Sequence, residues 1–134
     1  MEMSSLNENP PIDMVAVRQY HQARAAKQYA LREEKRLAWL TRAREAIQRF
    51  ALDFPTLERV YLFGSIVQPG KFTEDSDIDV AVECQSVETE SAFWRVLEQA
   101  LQRDIDVRPY TGAIVDAVKW YGEKVYERES DHSD

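Results

Sequence analysis

The chain has 134 residues, with 24 Asp and Glu against 17 Lys and Arg, a net charge of −7. That length holds one hydrophobic core without a separate substrate-binding lobe, and the acidity argues against template-directed work on nucleic acid. No apolar run approaches a membrane span, the N-terminus lacks a basic-then-apolar signal, and the lone Cys84 cannot form an internal disulfide, so a cytoplasmic setting is expected.

Residues 1–13 are polar, contain Pro10-Pro11 and read as a flexible N-terminus ending at Asp13, a good N-cap. From residue 14 to 52 no Gly or Pro interrupts the chain, and Leu40, Ala43, Ile47 and Phe50 recur at helical spacing. A helical arm over 14–52 follows, about 58 Å long at the standard rise if unbroken. Such a helix either breaks near Arg32–Lys35 or projects from the body. It carries nine Lys or Arg against three Glu, a balance of +6 that leaves −13 on the remainder. Its basic first half reads equally well as a partner-binding surface and as a solvated helix.

The rest, 53–128, is expected to be one core, followed by a frayed tail at 129–134. Val60-Tyr61-Leu62-Phe63 is a β-branched and aromatic run that stops at Gly64-Ser65, a buried strand ending in a tight turn. Gly64 would let a phosphate approach the backbone, and Ser65 adds a hydroxyl and an N–H. After eleven more residues comes Asp77-Ile78-Asp79-Val80-Ala81-Val82, in which Asp77 and Asp79 share one face of a strand and Ile78 and Val80 the other. A helix is predicted over Val87–Leu101, with Phe93, Val96, Leu97, Ala100 and Leu101 on its core side. Asp104-Ile105-Asp106-Val107 repeats the acid-apolar pattern, and a final helix is predicted over Ala113–Tyr126.

Acids from neighbouring strands repel one another unless cations neutralise them, and Mg²⁺ is the hard ion that carboxylates share with substrate phosphates. Each piece alone has an ordinary reading as a turn or a solvated strand edge. Their order and spacing together match what two-metal nucleotidyl transfer requires.

Phe63-Gly64-Ser65 followed by Ser76-Asp77-Ile78-Asp79-Val80 resembles the signature of the DNA polymerase β nucleotidyltransferase superfamily, and the small size points to its minimal nucleotidyltransferase (MNT) branch. The resemblance covers roughly residues 58–128. It implies an α+β fold, a small mixed β-sheet with flanking helices, here preceded by a long N-terminal helix. It also implies a two-ion Mg²⁺ site with ATP as co-substrate. By position, Gly64 and Ser65 bind phosphate, Asp77 and Asp79 bind both metals, and Asp106 completes the site and helps activate the nucleophile. Asp104 has the wrong strand parity for that role. The residues after Ser65, often basic in the family, are Ile66, Val67 and Gln68, and Lys71 is the candidate to supply that charge to the triphosphate.

Resemblance to stand-alone MNT proteins further implies the antitoxin half of a HEPN/MNT pair, transferring AMP from ATP to tyrosine hydroxyls of a HEPN-type ribonuclease toxin. Two alternatives are transfer to a small aminoglycoside-like hydroxyl compound and neutralisation of the toxin by binding alone.

Overall fold

The computed structural model describes residues 12–129, so the expected flexible N-terminus, apart from residues 12 and 13, and the tail beyond Glu129 lie outside the described residues. Two compact units divide between Leu31 and Arg32. In the first, Asp13 starts helix α1 (Met14–Phe50) as anticipated, its Oδ1 accepting the N–H groups of Val15 and Ala16 at 3.0 and 3.1 Å. Every side chain from Ile12 to Leu31 is exposed. The helix is continuous through residues 32–35, where a break was one of the two expectations.

In the second unit, α1 buries Arg36, Leu40, Ala43, Ala46 and Ile47, a stripe at three- and four-residue spacing. A single 3₁₀ turn, Ala51–Asp53, ends the run before Pro55. Strand β1 (Leu57–Phe63) then leads through a 3₁₀ turn, Gly64–Val67, and a loop to β2 (Ile78–Cys84). Helix α2 (Val87–Leu101) begins at Ser86, whose side chain accepts the Thr89 N–H. After it come β3 (Ile105–Pro109), α3 (Ala113–Tyr121) and β4 (Gly122–Glu127).

The sheet is mixed, in the order β3-β2-β1-β4, with β2 and β3 parallel and the other neighbours antiparallel. This is the expected α+β architecture, a small mixed sheet with flanking helices and a long N-terminal helix. One sheet face, built from Val60, Leu62, Ile78, Val80, Val82, Ile105 and Val107, packs against α1 and against Phe93, Leu97 and Leu101 of α2. Ala100 is exposed and Val96 half-buried, because the 93-97-101 row alone points at the sheet. The opposite face carries Tyr61, Phe63 and Ala81, covered in part by Val118, Ile114 and Ala117 of α3.

The final helix is shorter than the one expected over Ala113–Tyr126. It stops at Tyr121, and Gly122–Glu127 is a strand paired with β1. A β-carbon at Gly122 would stand 2.6 Å from the Val118 carbonyl oxygen, so the chain turns out of the helix where only glycine fits. The residues after it then find a hydrogen-bond ladder along β1 that a fourth helical turn could not supply.

Both edges of the sheet meet helix side chains. On β3, Trp94 Nε1 donates to the Ile105 carbonyl at 2.6 Å and Glu98 accepts the Ile105 N–H at 3.3 Å. On β4, Gln48 donates to the Val125 carbonyl at 3.4 Å, and Arg44 holds Glu123 through two bonds of 2.8 and 2.7 Å.

Candidate active site

β1 ends at Phe63, which pairs across the sheet with Asp79. The next residue, Gly64, has φ +76°, a conformation that side chains disfavour, and a β-carbon there would collide with Asp79 Oδ2. The backbone of the turn is thereby pressed against a carboxylate with no side chain between them. Ser65 follows within the 3₁₀ turn, its carbonyl accepting the Gln68 N–H at 3.0 Å.

The parallel pairing of β2 with β3 sets Asp79 opposite Asp106. Both residues alternate with the core-facing Ile78, Val80, Ile105 and Val107, so both acids face the side of the sheet that carries Tyr61 and Phe63. Asp77 precedes β2 by one residue and is exposed. Burial, followed by the negative charges of Asp106 and Asp77, pushes the Asp79 carboxyl up to about 6, with Arg108 pulling the other way. Of the three acids expected from the sequence, Asp79 and Asp106 stand side by side on neighbouring strands, and Asp77 lies one residue ahead of β2. Asp104 instead ends the loop before β3, its carbonyl accepting the Ile78 N–H.

The loop ahead of Asp77 is held by Arg103, whose guanidinium donates to the carbonyls of Thr73, Glu74 and Ser76 at 2.7 to 3.0 Å. The same guanidinium lies over the rings of Phe72 and Trp39, at 4.4 and 4.8 Å from their centroids. Three backbone acceptors on one cation fix the path by which the chain enters the Asp77-Ile78-Asp79 step.

A family model described as polymerase beta nucleotidyltransferase matches residues 45–131, nearly two thirds of the chain and the whole of this constellation. The chain belongs to that nucleotidyltransferase family. No curated protein matches it. Among solved structures, the nucleotidyltransferase is 26% identical to a chain of a toxin–antitoxin crystallised with AMP-PNP, covering 64% of this chain and 74% of that one at a TM-score of 0.54. More distant likenesses are the toxin–antitoxin MntA-HepT, at 21% identity, 66% and 73% coverage and a TM-score of 0.48. A tri-AMPylated Shewanella oneidensis HEPN toxin in complex with MNT antitoxin stands at 23%, 58% and 63%, and 0.42.

Could the nucleotidyltransferase hold divalent cations at these acids? Among the described residues, no group of three or more His, Cys, Asp or Glu stands ready-made around a metal position, and Asp106 Oδ2 accepts from Arg108 Nε at 3.1 Å. The donor chemistry nonetheless fits Mg²⁺. All the groups are hard carboxylate oxygens, burial and then the neighbouring charges of Asp106 and Asp77 raise the cost of leaving Asp79 ionised without a cation, and Gly64 leaves the space beside Asp79 free of side chain.

Lys71 lies exposed in the following turn, its N–H on the Gln68 carbonyl at 3.2 Å, and no ion pair among the described residues joins it to the carboxylates. Arg108 and Arg103, by contrast, were not singled out from the sequence. Arg108 could have been found by parity, since it stands two residues beyond Asp106 on the same strand face. Arg103 carries no such signal, because its partners are carbonyls.

Proposed function

We propose that this chain is a Mg²⁺-dependent protein adenylyltransferase and antitoxin, moving AMP from ATP to a tyrosine hydroxyl of a HEPN-type toxin. The observation that carries the reading is the pairing of Asp79 with Asp106 on adjacent strands, beside the bare backbone of Gly64 and with Asp77 one residue ahead of β2. Membership of the nucleotidyltransferase family and the likeness to a toxin–antitoxin holding AMP-PNP, an ATP analogue, support it.

Bound Mg²⁺ would neutralise the triphosphate and make the attacking oxygen easier to deprotonate. Asp77, Asp79 and Asp106 are the residues that would hold it. Gly64 and Ser65 leave room for, and offer an N–H and a hydroxyl to, the phosphates, and Lys71 would add positive charge from the turn. In the reaction the tyrosine oxygen bonds to the α-phosphorus, the bond to the β-phosphate bridging oxygen breaks, and pyrophosphate departs. The phenolic proton passes to a carboxylate, with Asp106 assigned that part, or to solvent. The product tyrosine carries new negative charge and bulk, which would obstruct RNA at a ribonuclease site.

The test is the intact mass of the partner toxin after incubation with this chain, Mg²⁺ and ATP. The expected result is a gain of whole AMP units that disappears with the Asp77→Asn/Asp79→Asn variant. A stable complex with no gain in mass would overturn the enzymatic reading in favour of neutralisation by binding.

A further inference from the structure

Arg36 is 6% exposed, the one buried charged residue among those described. It extends the Leu40-Ala43-Ile47 stripe of α1 one turn backward, so the helix aims a guanidinium where its period calls for an apolar side chain. Arg36 Nη1 donates to the carbonyl of Ile66, inside the Gly64–Val67 turn, at 2.9 Å. Its Nε and Nη2 bind the Glu33 carboxylate at 2.9 to 3.2 Å. Glu33 Oε2 in turn accepts the N–H of Gly70 at 2.8 Å. The bonds from Arg36, and after them the one from the Gly70 N–H, hold the Glu33 carboxyl below its ordinary range.

One ion pair thus grips the segment that follows Ser65 at two points, a carbonyl at residue 66 and an N–H at residue 70. Neither side chain reaches the acids, and the loop itself supplies no partner for either backbone group. A buried pair is seldom a net source of stability, since desolvation offsets most of the attraction, so its use is to be sought in what it fixes. What it fixes here is the turn assigned to the triphosphate.

We propose that Glu33 and Arg36 are positioning residues that set the phosphate-binding turn, and that without them the chain keeps its metal site while losing its grip on the triphosphate. The inference rests on the nucleotidyltransferase reading above. Preorganisation of this kind is an affinity effect, because a turn that wanders must be ordered again each time nucleotide binds.

Two ligands separate the possibilities, Mn²⁺ alone, followed by its paramagnetic resonance signal, and Mg·ATP, followed by titration calorimetry. The variants are Glu33→Gln, Arg36→Lys and the double Glu33→Leu/Arg36→Met. The double variant fills the volume with apolar atoms and leaves no charge unpaired, so it removes only the two backbone contacts to Ile66 and Gly70, and a thermal melt confirms its fold before titration. The expected result is Mg·ATP affinity at least tenfold weaker in the folded variants, with Mn²⁺ affinity within twofold of the parent chain. Unchanged Mg·ATP affinity in the folded double variant would overturn the proposal and leave the pair a packing element. Equal loss of Mn²⁺ and Mg·ATP would overturn it too, by showing that the whole site had shifted. Failure of the parent chain to bind Mg·ATP at all would instead defeat the nucleotidyltransferase reading on which the inference stands.

Discussion

Removing the carboxylate of Asp79 should make the metal-free protein more stable. In the folded chain burial and the charges of Asp106 and Asp77 push this group up to about 6, whereas in the unfolded chain an aspartate titrates near 4. The folded state therefore binds the proton more tightly than the unfolded state does. The stability this lends is fully present below about pH 4 and is lost as pH rises through about 6. A shift of this size corresponds to about 3 kcal/mol at roughly 1.4 kcal/mol per unit. Asp79 is only half-buried, and screening by water reduces the expectation to about 1 kcal/mol. Asp79→Asn should accordingly raise the melting temperature by about 3–5 °C at pH 8 in chelator. At pH 4, where the wild-type group is already neutral, the gain should vanish. Thermal melts followed by circular dichroism at the two pH values give the comparison directly. A variant that melts at or below the parent temperature at pH 8, or that gains as much at pH 4, would refute the reasoning.

Gly64→Ala should both weaken nucleotide binding and destabilise the fold by about 1–3 kcal/mol, since it places a methyl group against Asp79 at a positive φ; calorimetric ATP titration and a denaturant melt check it. Gly122→Ala should destabilise through the Val118 carbonyl while leaving ATP affinity unaltered in the folded fraction, and a parallel loss of affinity would count against the separation of the two effects. Arg108→Gln should lower the Mg²⁺ concentration needed for half-maximal transfer about threefold, because a partly exposed pair worth about 0.7 kcal/mol no longer competes for Asp106; a higher requirement would show that Arg108 helps rather than competes.

The catalytic half of the molecule was readable because it is written in short-range chemistry. A β-branched run closing on Gly64-Ser65 has few alternatives to a strand and turn, and the two-residue period that puts Asp79 beside Ile78 and Val80 also predicts which face it occupies. Asp106 was legible for the same reason. β4 was not, because Val125 and Tyr126 suit a helix as well as a strand, and the choice is made by an empty ladder on β1 some sixty residues away. Arg36 was counted only among basic residues of a helical arm, although its place in the stripe with Leu40, Ala43 and Ile47 marks it as inward-facing. Charge counting lost that signal, since a buried arginine is recognised by its partners, here a carbonyl at Ile66 and the Glu33 carboxylate, which lie beyond any window of sequence.

Helix side chains occupy backbone groups on both margins of the sheet, which bears on the addition of a further strand. An intruding strand needs a row of free N–H and carbonyl groups, and on β3 Ile105, whose side chain faces the core, has its backbone carbonyl and N–H taken by Trp94 and Glu98, while Pro109 has no N–H to offer. On the other margin Gln48 occupies the Val125 carbonyl. An added strand would thus meet occupied groups at Ile105 and Val125 and a missing donor at Pro109.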